Sequence, residues 1–158
     1  LVSGDARGTL CVREPDDREI AEIYRVRAAL EGQAVREVIA SPNRTALARE
    51  LRAALPPRKR SKRFVDALER DLAFHERLCQ LSGNAVLLET WTRLKDRMRI
   101  VLLASRRTTP TPLMEYAYHA PIVDAIEQMD LDSAVRRLHR HMEMAADQWV
   151  ADWRQRPR

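Results

Sequence analysis

Apolar positions recur along the chain at helical spacing, and prolines and polar clusters divide them into segments. After Pro15 the stretch "DDREIAEIYRVRAALEGQAVREVIA" carries Ile20, Ile23, Leu30, Ala34 and Val38 on one stripe, with acids in its first turn where they favour the helix dipole. "SPNRT" ends it, and a shorter helix is expected over about 44–55. "LPPRKRS" is a loop, because two consecutive prolines cannot continue a helix. A third helix runs from about 62 to 81 and stops at Ser82-Gly83; Asn84 is placed to cap a fourth, over about 85–105, with Leu87, Leu88, Trp91, Leu94, Met98, Val101 and Leu102. A fifth segment, about 113–129, contains Pro121, which predicts a kink or a late helix start. Asp130 begins a sixth, through "LDSAVRRLHRHMEMAADQWVADW". Only the beginning differs: "LVSGDARGTLCV" alternates loosely around Gly4 and Gly8 and predicts a short β-hairpin. A lone hairpin is marginal, and the chain opens on Leu rather than Met, so an upstream portion is expected.

Composition agrees with one helical domain. The 158 residues suit a single core; apolar residues make 45%, while aromatics at 5% and four glycines are too few for a sandwich or barrel. The predicted fold is all-α, an antiparallel bundle of six to seven helices. The net charge of +5 is concentrated in "PPRKRSKR" and the terminal "WRQRPR", short of the broad basic stripe of a nucleic-acid surface, and the first run reads as a solvated loop. Cys11 and Cys79 are far apart and suggest no disulfide; Cys79 falls between Leu78 and Leu81 as a small hydrophobe. No apolar run approaches a membrane span, and the expectation is a soluble, cytoplasmic protein.

Candidate chemistry gathers on four side chains. In "ERDLAFHERLCQLSGN", Asp71 and His75 stand at i and i+4, one above the other on a helix face, which suits two ligands of one metal. His119 lies on the fifth segment. On the sixth, His141 shares the face of Ala134 and Leu138, whereas His139 is rotated about 100° from Leu138 toward solvent. Helices of a bundle can bring such residues to its centre. Three imidazoles and a carboxylate suit zinc, nickel, iron or manganese, and ligand type does not choose among them. The alternative is surface acid–histidine pairs with one buried, hydrogen-bonded imidazole. Arg27, on the apolar stripe of the first helix, either pairs with Glu31 or faces a cavity and grips a carboxylate. Enzyme signatures are missing: "FHERL" lacks the second histidine of HExxH, and there is no nucleophile elbow or P-loop.

Taken together, "EIYRVRAALEGQAVRE", "FVDALERDLAFHERLCQLSGNAVLLETW" and "YHAPIVDAIEQMDLDSAVRRLHRHM" resemble the effector-binding FCD domain of FadR-type GntR transcription regulators, over about residues 16–145. The Asp-x-x-Phe-His core, the Ser-Gly-Asn that follows and the terminal His…His pattern occur in the family's order. The resemblance implies residues 1–14 as the end of a winged helix-turn-helix domain with its linker, and 15–158 as the FCD domain. It implies a divalent ion, zinc first, at Asp71, His75, His119 and His141, and a small carboxylic acid as effector, with Arg27 and Asn84 as candidate effector-binding residues. It implies no catalytic residue and no DNA-binding residue within this chain. The whole protein is expected to be a homodimer that binds operator DNA through its missing upstream domain. Pro121, two residues after His119, is the one departure that could tilt a ligand away. Two competing expectations are a metal-dependent hydrolase-type enzyme using Glu31 as base, and a bundle with a purely structural metal.

Overall fold

The computed structural model describes residues 16–105 and 107–155, and the backbone of 2–4 and 10–12. Two short strands, β1 (Val2–Gly4) and β2 (Leu10–Val12), pair antiparallel with Val2 opposite Val12 and Gly4 opposite Leu10. The turn of the expected hairpin and the linker that follows it lie outside the described residues.

Six α-helices follow: α1 (Asp17–Ala40), α2 (Arg44–Ala53), α3 (Phe64–Leu81), α4 (Ala85–Ala104), α5 (Tyr116–Glu127) and α6 (Leu131–Arg154). A single 3-10 turn, Pro112–Met114, precedes α5. The starts are set by side chains that accept otherwise orphaned N–H groups: Asp16 from Glu19, Asn84 from Leu87 and Asp130 from Ser133. The stop of α3 is Gly83, whose left-handed φ of 72° any other side chain would resist.

The apolar stripes meet in one core. α1 packs along α6 and also touches α3 and α4; α5 lies on α6, and α2 closes over α5. Trp91, Phe74, Leu72, Leu78, Met98 and Leu138 are fully buried at its centre. Gly32 lets α1 and α6 approach closely, since a Cβ there would stand 3.1 Å from His139 Nε2. Phe64 sets its ring edge-on against Trp149, with centroids 5.8 Å apart, and so fixes the start of α3 against the end of α6.

One expectation, a late helix start at Pro121, is corrected. Pro121 neither delays α5 nor ends it: the helix starts five residues earlier, at Tyr116, and runs through the proline. The N–H that Pro121 lacks would have bonded Ala117, which lies on the exposed face, where water can take the lost partner's place. The basic loop is solvated, as its sequence predicts, and it also makes contacts of its own. Arg58 stacks on the Tyr116 ring 4.1 Å from its centroid, and Arg60 pairs with Glu115, so the loop holds the first turn of α5 in place.

Candidate metal centre

Asp71 and His75 project from adjacent turns of α3, His119 from the first turn of α5 and His141 from the middle of α6. All four are buried, and one candidate ligand atom from each lies within 4.8 Å of the others. His119 Nε2 is 3.2 Å from His75 Nε2 and 3.1 Å from Asp71 Oδ1, and His75 Nε2 is 3.8 Å from the same oxygen. The rings of His75 and His141 lie nearly parallel, 18° apart in plane, with centroids at 5.4 Å. Phe74 sets its edge against both His75 and His119 and walls the cluster with hydrocarbon.

The outward nitrogens decide which atoms face inward. His75 Nδ1 lies 2.6 Å from Glu31 Oε2, and a carboxylate can only accept, so that nitrogen carries the proton. His119 Nδ1 lies 2.9 Å from the backbone carbonyl of Glu115, with the same consequence. In the neutral rings, both Nε2 atoms are therefore lone-pair donors facing one another, with a carboxylate oxygen beside them. His141 Nδ1 is buried with no hydrogen-bond partner. A single proton can bridge one pair of these acceptors; a divalent cation satisfies the set, so the residues present fit a metal ion.

Burial favours neutral rings at His75 and His141 beside an ionised Asp71. Burial opposes ionisation of Asp71, but its close contact with His119 and the nearby His75 and Arg27 outweigh it and hold the carboxyl well below its usual range. Burial pushes His75 down, and pushes His141 well down, helped there by the neighbouring histidines.

Glu31 is the residue that the sequence placed too modestly. It is fully buried and joins three elements: Oε1 accepts from Arg27 Nε at 2.8 Å and from Trp91 Nε1 at 2.9 Å, and Oε2 accepts from His75. Burial disfavours its charge, yet Arg27 and His75 bring its pKa down to about 2. Its signal in the sequence was an acid one turn after Arg27 on a buried stripe; its bond to His75, 44 residues away, had none. Arg27 is 2% exposed and paired with Glu31, and one of its terminal amino groups is buried without a partner. Asn84 sits at the α3–α4 turn. Its amide oxygen caps α4 and its nitrogen donates to Glu37 at 2.9 Å, so both ends are occupied by protein. His139 is exposed, as its rotation predicted.

Residues 22–144 match the FCD domain family. The chain belongs to that family. Relatives of this FCD domain include a probable D-xylose utilization operon transcriptional repressor of Paenarthrobacter nicotinovorans, 32% identical over 136 residues, which are 83% of this chain and 58% of that protein. The HTH-type transcriptional repressor NanR of Citrobacter rodentium is 33% identical over 87 residues, 51% of this chain and 32% of NanR. NanR of Salmonella newport is 32% identical over a stretch of the same extent. The chain thus spans from a third to somewhat over half the length of these relatives. All three are named as transcriptional repressors. Among the described residues no helix is long and apolar enough to cross a membrane.

Proposed function

We propose that this FCD domain is the sensing part of a cytoplasmic, homodimeric transcription regulator, and that it holds a divalent metal at Asp71, His75, His119 and His141 and binds a small carboxylic acid there. The observation that carries the reading is the convergence of unprotonated nitrogens and a carboxylate from three helices in a buried, hydrocarbon-walled space. Zinc suits a mixed imidazole and carboxylate set, and nickel, manganese and iron are compatible with it. A bound ion supplies an electrophilic site for a carboxylate oxygen. The chain's own residues do the rest: Glu31 and the Glu115 carbonyl fix the tautomers of His75 and His119, and the unpartnered amino group of Arg27 offers N–H to the acid. Asn84 serves by fixing the α3–α4 turn rather than by touching the acid.

Binding would regulate only through a difference in affinity between two arrangements of the helices, passed to a DNA-binding part of the whole protein, with the β1–β2 pair as the end of its wing. The enzyme alternative is disfavoured because Glu31, its candidate base, is fully buried and engaged by Arg27, Trp91 and His75. Elemental analysis of the dialysed chain, followed by calorimetric titration with carboxylic acids, tests the reading. We expect near-stoichiometric metal in the native sequence, loss of it in Asp71→Ala, and lower metal content and acid affinity in His75→Ala and His141→Ala. Native chain that stays metal-free after exposure to zinc, nickel and manganese would sink the metal. Holo chain that melts higher yet binds no acid would make the ion purely structural.

A further inference from the structure

A cleft of about 270 Å3 opens between α5 and α6, with Ala117, Tyr118 and Pro121 on one wall and Arg137, Arg140 and His141 on the other. His141 belongs to both this cleft and the buried cluster, and its Nδ1 is buried without a hydrogen-bond partner. The mouth is cationic. Arg137 and Arg140 are exposed, and among the described residues neither has a hydrogen bond or an ion pair, whereas their neighbour Arg136 is bonded to Ser133 Oγ at 3.0 Å. Most other arginines of the bundle surface are tied to acids: Arg52 to Asp124 and Glu127, Arg97 to Glu19, Arg99 to Glu69 and Arg107 to Asp152. Arg137 and Arg140 are thus two guanidiniums free of hydrogen bonds and ion pairs to the described residues, at the rim of a cleft that His141 also lines. The Tyr118 ring, 38% exposed, stands across from them.

Spacing gives the cleft a length. Arg137 precedes His141 by one helical turn, about 6 Å along α6, and Arg140 is adjacent to His141. An acid whose inner carboxylate reaches the centre would therefore present its other end to the arginines if that end lay a few bonds further out. We propose that the α5–α6 cleft is the access route to the centre and that Arg137 and Arg140 select effectors with a second anionic group, a carboxylate or a phosphate, at the end remote from the metal. The proposal rests on the metal and carboxylate reading above and adds to it the class of acid. Guanidinium forks suit either anion.

The test uses the zinc-loaded chain in calorimetric titrations with succinate, glutarate and adipate, against propionate and butyrate, and with 3-phosphoglycerate to separate a phosphate end from a carboxylate end. We expect at least one doubly anionic probe to bind about tenfold more tightly than the monoacids. In the Arg137→Ala/Arg140→Ala variant that advantage should vanish, while zinc stoichiometry and monoacid affinity stay unchanged, since both side chains are exposed and outside the ligand set. Equal affinity for mono- and diacids in the native chain, or a preference that survives in the double variant, would overturn the selection. Failure of the native chain to hold zinc would overturn the metal reading and this one with it, and elemental analysis detects it separately from any acid preference.

Discussion

Glu31 shows how one buried charge serves stability and site together. It neutralises Arg27, accepts from Trp91 and holds His75, all without contact with water. Removing one partner of a buried ion pair strands the other, which costs about 3–5 kcal/mol, far more than a surface pair contributes. Glu31→Gln keeps the shape and removes the charge. Urea denaturation of the metal-free chain should show that loss, and adding Arg27→Met to the same chain should recover part of it. If the ring of His75 is held by Glu31, zinc affinity of Glu31→Gln should also fall, by about 10–100-fold. A variant that lost stability but kept its zinc affinity would show that Glu31 supports the core and not the ligand.

Among the elements, the helix ends separate local rule from local exception. Gly83 and Met129 both adopt left-handed backbone, at φ 72° and 58°, just past the ends of α3 and α5. Glycine adopts that conformation without strain; a side chain costs about 1 kcal/mol. Nothing stands within 4 Å of a Cβ built on Gly83, so Gly83→Ala should destabilise by about 1 kcal/mol through backbone strain alone. Met129→Gly should stabilise by a similar amount, reduced by loss of the contact between Arg44 and the methionine sulfur. Thermal and urea melts of the two variants in parallel check both signs. The caps at Asn84 and Asp130 were legible in the sequence because capping is local chemistry. The segment of α5 was legible, at about 113–129, but the effect of Pro121 on its start was not. Pro121 argued for a later one, and what overrides it is the hold of Arg58 and Arg60 on the first turn together with the packing of α5 on α6.

At the scale of the whole molecule, the cluster ties the bundle together. Asp71 and His75 come from α3, His119 from α5 and His141 from α6, while Glu31 brings in α1 and, through Trp91, α4. An ion at this point would brace most of the fold against separation. With free zinc at 100 times its dissociation constant, the native state gains about 2.7 kcal/mol. For a chain of this length that corresponds to a rise in Tm of about 5–10 °C. Chelation should remove the rise, added zinc should restore it, and Asp71→Ala should melt at one temperature in both conditions. An unchanged Tm in the native chain would mean that the four side chains bind no ion in the folded state.

By itself the sequence determined the helical class, most of the helix boundaries, the shared face of Asp71 and His75, and the choice of His141 over His139. Each of these follows from a period of 3.6 residues or from a cap within one turn, and such rules act between near neighbours in the chain. Tertiary structure alone decided that Glu31 meets His75 and Trp91, that the Glu115 carbonyl sets the tautomer of His119, and that arginines of α6 border a cleft which His141 also lines. Those contacts depend on the offset and rotation with which one helix packs against another. That packing is set by the whole core at once, and no local pattern encodes it.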